Sequence, residues 1–277
     1  MKKIVLLYIV FIALAFQACD KIDGPYTTPV PTKDWYGRKI LLEDYTAHKC
    51  PNCPGAAVIA DNLLSLYGDK IIVLANHVGF LAQPFVGDGL PDDFRTTAGT
   101  DWDNKFIHSD NGLPNGMINR KGFPTANAIS PSAWASEVGA DLAKVPYMSV
   151  AFQNNSYNAA DSTVTGSVAV KMLKGNQYKL NLEICITEDS IIAPQLNLTV
   201  LVPNYLFMHM LRGAVNGSWG QQITDGTTYN LVGTEITPSY TYTIPKSKWN
   251  AKNCHIVAFV YDAVTFEVYQ AEQIALQ

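Results

Sequence analysis

The chain has 277 residues, of which 48% are hydrophobic and 16% are charged, and its formal net charge is -4. A chain of this length buries enough apolar surface for one large domain or two ordinary ones, and two domains are expected. It contains no run of lysine or arginine, so nucleic acid is not expected as a partner.

The first 35 residues have the pattern of an export and anchoring segment. Residues 1–18 are interpreted as a lipoprotein signal peptide, because two lysines precede an apolar stretch that is too short to span a membrane. Ala18 then precedes Cys19, which resembles the lipobox of bacterial lipoproteins, in which the cysteine is acylated; an ordinary secreted protein cleaved near Cys19 is the alternative. Residues 19–35, rich in proline and threonine, are expected to form an extended tether.

Residues 36–145 have the pattern of an α/β domain. An apolar run begins at Ile40, apolar residues at helical spacing follow from Ala56 to Tyr67, and a second apolar run covers residues 71–75. This order predicts two parallel strands joined by a helix. Short helical structure within residues 92–106, a strand at 116–119 and a helix at 133–144 are expected to follow.

Helical periodicity disappears after residue 145, and a domain boundary is predicted there. The remaining residues, 146–277, contain segments that alternate apolar and polar residues and favour β-branched types. Their spacing predicts an all-β, sandwich-like domain with antiparallel strands. The segments are 148–152, 164–172, 178–187, 240–244, 255–261 and 266–274.

Cys50 and Cys53 form a Cys-Pro-Asn-Cys motif where the first helix is predicted to begin. The helix dipole and the unpaired backbone N–H groups at that position lower the pKa of a thiol. His48 and Lys49 are expected to add positive charge. Cys50 is therefore the candidate nucleophile, and Cys53 is the candidate thiol that resolves a mixed disulfide.

Two other interpretations of this cysteine pair stay open. In an exported protein the pair can be a permanently oxidised clip that does not turn over. Two thiolates together with His77, at the end of the second strand, could in principle bind copper or zinc. No second Cys-x-x-Cys and no His-x-x-x-His accompanies them, so neither a metal nor a cofactor is predicted.

The order strand, Cys-x-x-Cys, helix and strand resembles the thioredoxin superfamily. In that superfamily an acidic residue stands six positions before the first cysteine, and Asp44 matches it, which implies that Asp44 accepts a proton from Cys53. A cis-proline beside the cysteines is also implied; Pro114, which precedes a strand, is preferred to Pro124 for this place. Lys49 before the first cysteine departs from the usual tryptophan, and the direction of exchange is left open.

Four further segments carry a resemblance over nearly all of the chain after Cys19: LLEDYTAHKCPNCP (41–54), GLPNGMINR (112–120), FMHMLRGAVNGSWG (207–220) and AFVYDAVTFEVYQAEQ (258–273). With them the chain resembles the Omp28-related outer-membrane lipoproteins of Gram-negative bacteria. The resemblance implies a thioredoxin-like domain followed by a β-rich domain on a lipid anchor in the outer membrane, without implying a settled activity.

Two functional hypotheses follow. The first is an exported, membrane-anchored protein that performs thiol-disulfide exchange through Cys50 and Cys53, with an envelope protein as substrate or redox partner. The second is a non-enzymatic surface lipoprotein, in which the thioredoxin-like domain is a scaffold and the β-domain binds a protein or glycan.

Other candidate residues lie in the predicted β-domain. Cys185 and Cys254 form either a disulfide across the sandwich or two reduced core thiols. His209 and Arg212 either line a groove or satisfy loop carbonyls. Trp219, flanked by glycines, belongs either to a binding loop or to the core.

Overall fold

The computed structural model describes residues 37–245 and 249–277. The predicted signal peptide (1–18), the lipidation site Cys19 and the tether (19–35) lie outside the described residues.

The described residues form a mixed α/β structure in which strands predominate. The helices are α1 (Cys53–Tyr67), α2 (Thr97–Phe106) and α3 (Trp134–Leu142). The strands are β1 (Ile40–Thr46), β2 (Ile71–His77), β3 (Asn115–Ile118), β4 (Met148–Asn158), β5 (Thr163–Met172), β6 (Leu180–Glu188), β7 (Ile191–Asn197), β8 (Val200–Phe207), β9 (Met210–Ala214), β10 (Gln221–Gln222), β11 (Glu235–Ile236), β12 (Ser239–Thr243), β13 (Cys254–Asp262) and β14 (Val268–Ala275).

The largest sheet has the strand order β14-β13-β6-β9-β2-β1-β3, with β10 also paired to β6. Strands β1 and β2 are parallel, as the strand-helix-strand pattern predicts, and β3 is antiparallel to β1. Strand β9 joins the two halves, since it pairs with both β2 and β6. The strands of one sheet therefore come from both sides of residue 146, where the sequence predicts a domain boundary.

A second sheet of four strands contains β4, β5, β11 and β12. Its inner face packs on the β6–β13 part of the large sheet, which gives the β-rich, sandwich-like packing expected for the C-terminal half. Fully buried members of this core include Val150, Val168, Leu182, Ile184, Ile256 and Ala258.

Strand β1 is buried on both faces, which explains its unbroken apolar start. Ile40 and Leu42 pack on one side, against α1 and α3. Leu41 and Tyr45 pack on the other side, against α2 and β13. Because side chains alternate along a strand, Asp44 lies on the α1 side. This alternation places its carboxyl near the start of α1, where the cysteine motif lies.

Strands β7 and β8 form a separate antiparallel hairpin that belongs to neither larger sheet. Sequence periodicity does not predict it. Its outer residues are apolar yet exposed, including Ile192, Leu198, Val200 and Leu206, so the alternation that marks a half-buried strand is absent.

Candidate functional site

The Cys-Pro-Asn-Cys motif links the end of β1 to the start of α1. The Cys50 amide donates to the Ala47 carbonyl at 3.0 Å, which closes a turn directly after the strand. Helix α1 then begins at Cys53, with Pro54 in its first turn, where its missing N–H is no loss. Cys50 and Cys53 form a disulfide with a Cα–Cα separation of 5.4 Å.

Both cysteines are shielded from solvent. Cys50 is 1% exposed and Cys53 is 2% exposed. They belong to an apolar cluster whose other members are Ala47, Leu81, Ala82 and Leu113. A reductant or a partner thiol therefore reaches the sulfur atoms only after a neighbouring segment moves.

The positive charge expected beside Cys50 is not directed at the motif. The Lys49 ammonium pairs with Asp88 at 2.9 Å and lies 3.2 Å from the centre of the Phe85 ring. His48 is 1% exposed, and burial lowers the pKa of its imidazole, which favours the neutral form. That expectation was wrong because it assumed solvated, charged side chains. The backbone N–H groups at the start of α1, rather than His48 or Lys49, would therefore stabilise a Cys50 thiolate.

Asp44 is a buried acidic residue on β1 that lies beside the motif. Asp44 and Cys53 line the same cavity of about 60 Å³. The Oδ1 atom has no hydrogen-bond partner among the described residues, and burial raises the pKa of the carboxyl from 3.8 to about 7. Asp44 can therefore gain or lose a proton near neutral pH, next to Cys53.

His77 lines the same cavity at the end of β2. Burial lowers the pKa of its imidazole to about 3, so the ring is neutral at physiological pH. Within residues 37–245 and 249–277, no group of three or more histidine, cysteine or acidic side chains is placed to hold a metal ion.

Both candidate prolines follow cis peptide bonds, Leu113-Pro114 and Phe123-Pro124. Leu113 packs against the cysteine cluster, and β3 begins directly after Pro114. Phe123 packs elsewhere, against Phe106 at 5.3 Å between ring centres. The Leu113-Pro114 bond is therefore the one whose preceding side chain packs against the cluster that contains the cysteines.

Cys185 and Cys254 are free thiols, both buried. They lie on the adjacent strands β6 and β13, where Cys185 is opposite Val257 and Cys254 is opposite Glu188. The two side chains face opposite sides of the sheet, because Cys185 belongs to the core cluster that contains Leu41 and Cys254 belongs to the one that contains Val150. The suggested disulfide between them is therefore wrong, and the alternative of reduced core thiols holds.

The remaining candidates have local partners. His209 lies 3.3 Å from Asp189 and 4.0 Å from Asp61. The Arg212 guanidinium pairs with Glu188 at 3.0 Å. Trp219 packs against Phe106 and Phe266 in the core beside α2, with ring centres 6.1 and 5.6 Å away.

Gln195 on β7 is a site residue that sequence reasoning missed. Its buried side-chain amide donates to the Cys50 carbonyl at 3.1 Å across 145 positions of sequence. A lone glutamine between Pro194 and Leu196 carries no signal for this contact. The alternating burial of Ala193 and Gln195 is visible only in the structure, because the residue types of the segment do not alternate between apolar and polar.

Comparison with known proteins gives both a family and structural neighbours. The model of the family "Outer membrane protein Omp28" matches residues 104–277. HBP35 of Porphyromonas gingivalis is 15% identical, with 87% of this chain and 76% of that chain covered and a TM-score of 0.67. A protein from Agrobacterium tumefaciens is 12% identical, with 87% and 96% covered and a TM-score of 0.52. At these identities the two structures show a shared fold alone.

A domain of the outer membrane lipoprotein Omp28 from Porphyromonas gingivalis is 28% identical, with 48% of this chain and 91% of that chain covered and a TM-score of 0.33. No protein with a curated description matches the chain. In the described part of the chain, no helix has the length and hydropathy needed to cross a membrane. Since the family match covers more than half of its residues, the chain belongs to the Omp28 family of outer membrane proteins.

Proposed function

We propose that this outer membrane protein carries out thiol-disulfide exchange through Cys50 and Cys53, within a thioredoxin-like region at residues 36–145. The observation that carries the proposal is the cavity shared by Cys53 and Asp44. A buried carboxyl with one oxygen lacking a hydrogen-bond partner among the described residues costs stability, so a purely structural clip gains nothing from it. A carboxyl whose pKa is raised to about 7 suits proton exchange with a thiol.

The local topology also supports a thioredoxin-like region. Parallel strands β1 and β2 flank helix α1, and β3 runs antiparallel to β1 directly after the Leu113-Pro114 bond. The disulfide lies at the start of α1, where backbone N–H groups favour a thiolate.

The exchange would proceed in two displacements. In the reduced protein, the Cys50 thiolate attacks a disulfide of a partner protein, which forms a mixed disulfide and releases one partner thiolate. Asp44 then takes the proton of Cys53, and the Cys53 thiolate attacks the Cys50 sulfur. The second partner thiolate leaves, so the partner is reduced by two electrons and the Cys50–Cys53 bond forms.

A non-enzymatic scaffold is the second candidate, and the burial of both cysteines favours it. In that case the disulfide fixes the turn between β1 and α1 and never meets a partner. The β-rich half would then supply a surface for a protein or glycan. In either case we propose that acylation of Cys19 anchors the chain to the membrane.

Replacing Cys53 by serine should trap partners of Cys50 as mixed disulfides, since the resolving thiol is gone. We expect reductant-sensitive, higher-mass complexes of the full-length C53S protein in its native host after thiols are blocked with N-ethylmaleimide. Mass spectrometry should locate the linkage at Cys50.

The matched control is the C50S/C53S double variant, which keeps the serine but lacks the nucleophile and should form no such complexes. Equal adduct levels in the two variants would rule out exchange at Cys50. The scaffold would then be the better description.

A further inference from the structure

The β7–β8 hairpin covers the cysteine motif by binding its backbone. The Leu196 amide donates to the His48 carbonyl at 2.9 Å, and the Leu198 amide donates to the Pro51 carbonyl at 2.8 Å. Two amides at the end of the first hairpin strand therefore bind carbonyls on either side of Cys50. His48 and Pro51 lie in the turn between β1 and α1, so these bonds hold the hairpin against the motif without forming a strand ladder.

Gln195 contributes the third bond between the hairpin and the motif. Its side-chain nitrogen lies 3.1 Å from the Cys50 carbonyl and 2.7 Å from the Leu196 carbonyl. The side chain is 2% exposed and also lines the cavity that contains Cys53 and Asp44. No other residue of β7 places a side-chain donor on the motif in the described structure.

The hairpin depends on these contacts for its position. An isolated two-stranded hairpin is only marginally stable in water. Its base is held by an apolar cluster of Ala193 and Phe207 with Phe94 and Met210. Its tip carries the exposed Leu198 and Val200, and backbone bonds from Leu196 and Leu198 hold this end of the hairpin to the motif. The tip can therefore separate from the motif while the base stays packed.

We propose that strand β7 is an internal placeholder that occupies the position of a partner chain beside Cys50, with Gln195 where the cysteine of the partner would enter. The inference rests on the proposed exchange function. An extended partner segment would replace β7 and take over the carbonyls of His48 and Pro51. Until it does so, the hairpin keeps the disulfide oxidised by denying access.

The covalent step after displacement is a thiol-disulfide exchange. The partner thiolate attacks the Cys50 sulfur, the Cys50–Cys53 bond breaks, and Cys53 leaves as a thiolate that takes a proton from Asp44 or water. The partner sulfur is oxidised into the mixed disulfide while the Cys53 sulfur is reduced. No further oxidant or reductant takes part.

The first test measures access to the disulfide. Full-length wild-type, Q195L and Q195E proteins are treated with tris(2-carboxyethyl)phosphine, quenched with iodoacetamide and mapped by mass spectrometry for labelled Cys50 and Cys53. We expect the disulfide of Q195L to be reduced about three to ten times faster than that of the wild type, since the side-chain hydrogen bond to the Cys50 carbonyl is lost. Reduction should be faster still in Q195E, because the carboxylate of the new side chain faces carbonyl oxygens. I192A, which truncates an outward side chain of β7, should react at the wild-type rate.

Amide hydrogen exchange at Leu196 and Leu198 reports whether the hairpin itself has opened. Global unfolding would instead increase exchange throughout the protein. We expect exchange to increase at these two amides in Q195L while amides of β13 stay protected. Wild-type reduction rates in both Gln195 variants, with unchanged exchange at the two amides, would overturn the placeholder.

The second test offers a competing strand. A synthetic peptide of residues 191–199 carrying Q195C is compared with a scrambled peptide that keeps its cysteine at the same position. Both peptides are added to the Q195L protein. We expect the native-order peptide to form the mixed disulfide with Cys50 about ten times faster than the scrambled peptide does. Equal rates would overturn the placeholder, whereas absence of trapped partners in C53S would overturn the exchange function alone.

Discussion

Replacing Arg120 by methionine should destabilise the folded protein by about 3–5 kcal/mol, because it leaves the Glu43 carboxylate buried without its partner. Arg120 is fully buried and Glu43 is 1% exposed. Two parallel hydrogen bonds of 2.8 Å join the guanidinium to the carboxylate. Breaking one member of such a pair costs far more than breaking a solvated pair.

Aromatic rings add to the stabilisation of this guanidinium. Trp102 and Phe259 each lie 4.8 Å from it, measured to the ring centre. Glu183 on β6 also faces the cluster, and burial raises the pKa of its carboxyl well above the ordinary value although Arg120 opposes the shift. Loss of Arg120 therefore removes the cation that partly compensates two buried acidic side chains.

This pair also bears on the cysteine site. Glu43 precedes Asp44 on β1 and points to the opposite face, while Arg120 follows β3. Strands β1 and β3 pair through Glu43 opposite Met117 and Asp44 opposite Gly116. The ion pair therefore fixes the strand that positions the carboxyl beside Cys53.

Urea unfolding at pH 7, followed by circular dichroism, measures the effect. R95M is the matched control, because Arg95 makes a similar two-bond contact with Asp93 in solvent, and its loss should cost less than about 1 kcal/mol. The double variant E43Q/R120M should recover part of the loss, since no uncompensated carboxylate remains at position 43. A loss in R120M no larger than in R95M would contradict the assignment.

The part of the fold that sequence patterns predict is the part in which one face of an element is consistently buried. The apolar run from Ile40 predicts the first residue of β1, and the helical spacing from Ala56 to Tyr67 predicts the last residue of α1. The alternating stripe of Leu182, Ile184 and Ile186 gave β6 in the same way. These patterns are clear because every residue of β1 is buried, and because the apolar residues of α1 and of the β6 stripe face a core.

Strand pairings between distant segments could not be obtained in this way. Strand β9 joins the two halves of the large sheet, but its five residues carry no pairing signal of their own. The hairpin and the Gln195 contact were missed for the same reason, since 145 residues separate Gln195 from Cys50. The direction of a side chain can follow from strand alternation, whereas the identity of its neighbour follows from the whole topology.

Charge states were the least predictable feature of the site. The residues before Cys50 predict positive charge beside its thiol. In the structure, however, burial of His48 favours its neutral form, and Lys49 forms an ion pair with Asp88. Asp44 was singled out by its resemblance to thioredoxins, but its raised pKa depends on burial by α1 and the hairpin. Burial, rather than residue type, decides which of these groups titrates near neutral pH.

Replacing Asp44 by asparagine should make the oxidised protein more stable at pH 8 by up to about 4 kcal/mol, while leaving its stability near pH 4 almost unchanged. The pKa of the Asp44 carboxyl is 3.8 in the unfolded reference and about 7 in the folded protein. At low pH the carboxyl is protonated in both the folded and the unfolded protein, so it does not lower the free energy of unfolding. As the pH rises from about 4 to about 7, the unfolded state ionises first, so the wild-type protein loses stability and then stays at the lower value.

Urea unfolding of wild type and D44N at pH 4, 6 and 8, with the disulfide intact, isolates this contribution because other titrating groups cancel in the difference. D61N is the control, since Asp61 lines the outer part of the same cavity but its side chain is 58% exposed, and it should change stability by less than about 0.5 kcal/mol at each pH. A constant difference between D44N and wild type from pH 4 to pH 8 would mean that Asp44 does not titrate in this range. The carboxyl could then not serve as the proton acceptor for Cys53, and exchange at the disulfide would require another base.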